Sequence, residues 1–159
     1  MPESNPPRLS PDTVLHVRDT CLCLHAQRAA RTLARRFDEV LRPFGLTNGQ
    51  FSLLMALNQP EPPAVGQLAP FLGMDRTTLT AALKPLERRG LLSVAQGRND
   101  RRSRIVSITA DGVATLARAL PDWRAAHDRL EAVLSPDEPQ ALRDSLNRLS
   151  AAEAAPPDA

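Results

Sequence analysis

Between Asp75 and Arg104 the chain concentrates cationic side chains. Arg76, Lys84, Arg88, Arg89, Arg98, Arg101, Arg102 and Arg104 are offset only by Asp75, Glu87 and Asp100. That segment carries +5 in a chain whose formal total is +2, so the remainder carries −3. Guanidinium and ammonium groups at this density are suited to pairing with the phosphates of a nucleic acid. Thr77, Thr78 and Thr80, set between Arg76 and Lys84, are small hydrogen-bonding groups of the kind that meet phosphates or a thymine methyl. Charge alone also fits a solvated face, because Lys84 is the sole lysine and an arginine-rich composition produces such runs by itself.

The other chemistry-bearing residues are sparser. His16, His25 and His127 have no neighbouring acid and nucleophile in a recognisable order, and there is no glycine-rich phosphate loop. The chain is therefore read as a non-enzyme. Cys21 and Cys23 are too few and too close for a disulfide framework. Cys21 and His25, one helical turn apart, could chelate together, with His16 or Cys23 nearby. Cys23 points about 200° away from Cys21 on a helix, however, so one helix cannot gather all four. No metal and no other cofactor is expected.

The elements that must position these groups follow from apolar spacing. Leu22, Ala26, Ala29, Leu33, Phe37, Val40 and Phe44 recur at three and four residues and predict a helix over about 12–42, ended by Pro43 and Gly45. Val14, Val17, Cys21 and Leu24 give its first half a second stripe. Such a helix spans about 45 Å, so one half should pack on its own domain and the other on a partner chain. Thr47 is placed to cap a helix through about Asn58, with Phe51, Leu54, Met55 and Leu57 inward. A proline-rich loop follows, then a short helix over 65–72 that contains Pro70.

Gly73 suits a left-handed turn and Asp75 an N-cap. The helix they open, 76–89, should bury Leu79, Leu83 and Leu86. Arg76, Thr77, Thr80, Ala81, Lys84 and Arg88 then face outward. Pro85 should kink this helix without breaking it. Residues 91–96 and 104–109 are β-prone and flank a polar, basic stretch, which reads as a hairpin with a mobile tip. Thr109 or Asp111 opens another long helix, with Val113, Leu116, Leu120, Trp123, Leu130 and Val133 at apolar positions. Ser135 caps a last one, expected to bury Leu142, Leu146 and Leu149.

The length suits one domain over 11–150, with flexible tails at 1–10 and 151–159. No apolar run approaches the ~20 residues of a membrane helix. Met1–Ser10 lacks the basic-then-apolar layout of a secretory signal, and a cytoplasmic location is the expectation. The fold class is mainly α with a small β-hairpin wing: a winged helix-turn-helix core over about 47–109, flanked by long dimerisation helices over about 12–42 and 110–150. A recognition helix of this kind fits a major groove about 12 Å wide. Arg76 could reach guanine edges. Arg98, Arg101 and Arg102 at the hairpin tip suit the backbone or a narrow minor groove. A symmetric dimer would set two such helices about 34 Å apart, so the expected site is an inverted repeat in double-stranded DNA. A winged helix used only for protein interaction is the competing reading, and a redox or metal sensor acting through Cys21 and Cys23 is a further one.

At this point the sequence resembles the MarR family of winged-helix regulators over roughly residues 12–150. The resemblance rests on Leu46-Thr47-Asn48-Gly49-Gln50-Phe51, on Leu72-Gly73-Met74-Asp75-Arg76-Thr77-Thr78-Leu79-Thr80 and on Leu86-Glu87-Arg88-Arg89-Gly90-Leu91. It continues in Asn99-Asp100-Arg101-Arg102-Ser103 and Ile108-Thr109-Ala110-Asp111-Gly112. It implies that Arg102 enters the minor groove and that Asp100 helps fix the wing. It also implies dimerisation through the first and the last two helices, repression in many members, and release by a small ligand in many. Some members sense organic peroxides through a cysteine at the position of Cys23. Those sensors tune it with tyrosine hydroxyls, whereas this chain has no tyrosine and carries Phe37 and Asn48 there.

Overall fold

The structure is a computed structural model and describes residues 9–97 and 103–152. The chain divides into two units, Met1–Arg36 and Phe37–Ala159. The first holds α1 (Pro11–Thr20) and most of α2 (Leu22–Leu41). Ser10 caps α1 by accepting the Thr13 N–H. The single helix expected over 12–42 is thus two helices, and the reason is local. Cys21 leaves the helical region at ψ 103°. Its Sγ accepts the Leu24 N–H at 3.4 Å and its carbonyl accepts the His25 N–H at 3.2 Å, so it serves α2 as a cap would. Thr20 bonds its hydroxyl back to the His16 carbonyl at 2.8 Å. Such side-chain to backbone bonds compete with a continuous ladder, and apolar periodicity does not register them.

The second unit begins with the end of α2, where Phe37 and Leu41 are buried. A 3-10 turn, Arg42–Phe44, leads to Gly45 in the left-handed region at φ 68°. α3 (Asn48–Leu57) opens on a capping box between Thr47 and Gln50. Asp38 adds a cap that the sequence pattern did not reveal, accepting the Asn48 N–H at 2.6 Å. α3 buries Phe51, Leu53, Leu54 and Leu57. Met55, expected inside, is exposed, and Leu53 takes the place in the core. α4 (Val65–Phe71) and α5 (Arg76–Arg88) follow, then strands β1 (Leu92–Gln96) and β2 (Arg104–Ile108). The strands pair antiparallel with Leu92 opposite Ile108 and Gln96 opposite Arg104. The loop before α4 joins this hairpin through a bridge between Ala64 and Ile105.

α6 (Ala110–Glu131) and α7 (Glu138–Ala152) complete the chain. α6 carries the aromatic centre of the core. Trp123 stacks on Phe51 at 5.6 Å and on His127 at 4.8 Å, and Phe37 lies 6.1 Å from Trp123. Rings at these separations add specific geometry to area burial and hold the end of α2, α3 and α6 together. Ser135, expected to cap the last helix, instead closes a turn ahead of it: its N–H donates to the Glu138 carboxylate and its carbonyl accepts the Glu138 N–H at 3.0 Å, so the helix begins three residues later. Leu142, Leu146 and Leu149 do not pack inward, however: they are 50%, 45% and 53% exposed. Val133 is exposed as well. That stripe of α7 is therefore left about half open to solvent.

The start of α6 is held close to the hairpin. Thr109 caps it by accepting the Gly112 N–H. The Thr109 hydroxyl donates to the Gly90 carbonyl at 2.6 Å and its N–H to the Leu91 carbonyl at 3.1 Å. Gly112 lies so near that a Cβ there would stand 2.2 Å from the Leu91 carbonyl oxygen and 2.7 Å from Ile108 Cγ1. A backbone oxygen cannot step aside as a flexible side chain can. Gly112→Ala should therefore destabilise by about 1–3 kcal/mol, read as a lower urea midpoint. An unchanged midpoint would show that the helix and hairpin are not in this contact.

Candidate nucleic-acid interface

α4 and α5 pack on each other, joined by a turn whose bonds are fully accounted for. Gly73 lies at φ 62°. Its N–H reaches the Pro70 carbonyl at 3.1 Å and the Met74 N–H reaches the Ala69 carbonyl at 2.9 Å. These are the two bonds of a Schellman stop, which requires the left-handed residue that glycine supplies. Asp75 then caps α5. Its Oδ1 accepts the Thr78 N–H at 2.8 Å and its Oδ2 accepts the Thr78 hydroxyl at 2.6 Å. These hydrogen bonds, the Thr78 hydroxyl first, hold the Asp75 carboxyl below the usual carboxylate value.

Leu79, Leu83 and Leu86 are buried as expected. Their stripe turns Arg76, Thr77, Ala81, Lys84 and Arg88 to the exposed side. The three threonines are not equivalent. The Thr78 hydroxyl proton is committed to Asp75. That of Thr80 is committed to the Arg76 carbonyl at 2.7 Å, and Thr80 is half-buried. Both keep acceptor lone pairs and methyl groups, but only Thr77 keeps a hydroxyl without a partner among the described residues. Arg89 also departs from the pattern. Its Nη1 donates to the Gly45 carbonyl at 2.7 Å, so it ties the end of α5 to the turn after α2. No spacing in the sequence distinguishes it from Arg88; only the carbonyl left open by the left-handed Gly45 does.

The hairpin stands beside this helix. Gly97 N–H reaches the Ser103 carbonyl at 2.9 Å, closing the base of the loop. Arg98, Asp100, Arg101 and Arg102 lie outside the described residues. The Val106 N–H donates to the Pro63 carbonyl at 3.0 Å, which fixes the hairpin to the segment leading into α4. The structure thus brings Arg76, Thr77, Lys84 and Arg88 onto one outward face, with the wing rooted at its flank. Cys21 and Cys23 belong to the other unit. Cys21 is half-buried and Cys23 exposed. Among the described residues no group of three or more His, Cys, Asp or Glu side chains could hold a metal ion. No helix there is long and apolar enough to cross a membrane.

The comparisons agree with this geometry. The MarR family model matches residues 46–103, from just before α3 to the residue before β2. The transcriptional repressor MprA of Escherichia coli (strain K12) is 30% identical over 132 residues, which is 82% of this chain and 73% of that protein. The chain belongs to the MarR family. The structure of the Mycobacterium tuberculosis transcriptional regulator MosR in complex with DNA superposes with a TM-score of 0.75 at 40% identity, covering 84% of this chain and 97% of that one. The HTH-type transcriptional regulator YwoH of Bacillus subtilis (strain 168) is 32% identical over 84 residues, and the match spans only 61% of that protein. The MarR-type winged helix-turn-helix expected from the sequence is therefore the fold observed, with the first long helix divided at Cys21.

Asp75 gives the interface a pH dependence whose sign is fixed. A carboxylate with a depressed folded pKa contributes stability above its unfolded pKa and loses it as pH falls through the folded value. Asp75→Asn keeps a capping oxygen but no charge. Its melting temperature should fall below wild type at pH 7, and the gap should close as pH drops through the carboxylate range. A gap that persists unchanged to pH 2 would sink the assignment.

Proposed function

We propose that this MarR-family chain is a transcription regulator, most simply a repressor, that binds an inverted-repeat site in double-stranded DNA as a homodimer. The observation that carries the reading is the outward face of α5. There Arg76, Thr77, Lys84 and Arg88 are exposed, and the wing is rooted beside them. The solved MosR complex, which contains DNA, supports the same use of the fold. Dimerisation is supported by the half-exposed Leu142, Leu146 and Leu149 stripe on α7 and by exposed Val14 and Val17 on α1. A second copy would remove these apolar groups from water.

The groups assigned to DNA are Arg76, Thr77, Thr78, Thr80, Lys84 and Arg88 on α5. Arg98, Asp100, Arg101 and Arg102 in the wing join them on the strength of the family pattern. The test is binding to the chain's own promoter region across a salt series. Lys84→Ala and Arg102→Ala should each weaken binding and make the slope of log affinity against log salt shallower by about 0.9 per lost phosphate contact. If both leave affinity and slope unchanged, the surface does not read DNA and the protein-interaction reading takes over.

The proposed release signal is a small ligand or an oxidant, the oxidant being an organic hydroperoxide acting through Cys23 or Cys21. The observation that bears on the oxidant is the exposure of Cys23, which leaves its thiol open to a peroxide. Gln27 Nε2 donates to Cys23 Sγ at 3.1 Å, and the Leu24 N–H donates to Cys21 Sγ. The peroxide oxidises the thiol to the sulfenic acid and leaves as the alcohol. DNA fragments selected from the source genome should be lost on treatment with an organic hydroperoxide and kept by Cys21→Ser/Cys23→Ser. The same bound set before and after oxidation would count against the cysteines.

A further inference from the structure

Gly66 is the second residue of α4 and is exposed, with nothing in its backbone that demands glycine: the left-handed glycines are Gly45, Gly73 and Gly90. Glycine inside a helix is less favourable than alanine, so its presence calls for a reason in space. Arg76 supplies one. Arg76 Nη2 lies 3.0 Å from where a Cβ on Gly66 would stand, and Cζ 3.9 Å from it. Gly49, by contrast, has nothing within 4 Å of the same point. The Arg76 guanidinium therefore rests against the bare backbone of α4. It lines a cleft of about 270 Å³ together with Gln67, Thr80 and Arg104, the first residue of β2. No carboxylate lines this cleft among the described residues.

An arginine in the first turn of the second helix would ordinarily reach base edges, but the Arg76 side chain is turned back against α4. In a helix-turn-helix the second helix enters the major groove, while the first crosses the sugar–phosphate backbone. A guanidinium seated on the first helix faces that backbone. We propose that Arg76 is a phosphate clamp, not a guanine reader, and that the missing side chain of Gly66 is what seats it. Gly66 is then a positioning residue: it touches no DNA and acts through Arg76. The inference rests on the DNA-binding reading above and replaces the guanine contact expected from the sequence.

The experiment uses the full chain and a DNA duplex carrying its selected site, together with single-base variants of that duplex. Arg76→Ala should lower affinity by about tenfold for every variant alike and make the salt slope shallower by about 0.9. Gly66→Leu should reproduce most of that loss when Arg76 is present and add nothing in the Arg76→Ala background. Gly66→Ala should act in the same direction, more weakly. Neither Gly66 variant should melt below wild type, since both residues are better helix formers than glycine.

A change in discrimination at one base pair in Arg76→Ala would overturn the clamp. A Gly66→Leu loss of equal size with and without Arg76, or no loss at all, would overturn the seat. Lys84→Ala separates the two levels. If Lys84→Ala weakens binding while Arg76→Ala and the Gly66 variants do not, the inference fails alone. If none of them has any effect, the DNA-binding reading fails with it.

Discussion

Burial of Leu79, Leu83 and Leu86 along one stripe of α5 is the constraint from which the interface follows. A leucine side chain removed from water contributes about 1.5–3 kcal/mol, so three of them fix the rotation of the helix about its axis. Once that rotation is fixed, the residues that face outward are determined. Lys84 and Arg88 are exposed because Leu83 and Leu86 are buried. The Schellman turn at Gly73 and the Asp75 cap set where the helix starts, and Arg89 on the Gly45 carbonyl sets where its far end is held. Rotation, start and end together leave the outward face little freedom relative to the hairpin.

The hairpin is held by comparable means. The Pro63 carbonyl and the Ala64 bridge bind it to the approach to α4. The contact of Gly112 with Leu91 binds it to the start of α6. α6 in turn carries Trp123 into the ring cluster with Phe51 and Phe37. A continuous set of packed groups therefore runs from the aromatic centre to the wing base. Within this unit, displacement of α6 would be felt at the hairpin.

What the sequence made legible was whatever repeats or punctuates. Spacing of three and four found α3, α5 and α6. Thr47, Asp75 and Thr109 were readable as caps because their side chains bond three residues on, within reach of a local pattern. Gly73 marked its own turn. The failures share a cause as well. The break at Cys21 comes from a thiol taking a capping role, the Asp38 cap acts across ten residues, and Arg89 pairs with a carbonyl distant in sequence. None of these leaves a periodic trace. Leu142, Leu146 and Leu149 were read correctly as an apolar stripe and wrongly as one buried within this chain, because periodicity reports that a face avoids water without reporting what covers it.

The prolines test the same logic from the other side. Pro70, Pro85 and Pro121 all lie inside helices, where a proline removes one backbone donor and leaves the carbonyl four residues earlier unpaired. Those carbonyls belong to Gly66, Ala81 and Ala117, and all three residues are exposed. Water can donate to a carbonyl there, so the lost bond is replaced and not buried. At Leu79 or Leu116 the same freed carbonyl would be sealed in the core without a partner. The helices persist through their prolines because each falls where its orphaned acceptor meets solvent. In α5 this places a free backbone acceptor, that of Ala81, on the side that Lys84 and Arg88 share.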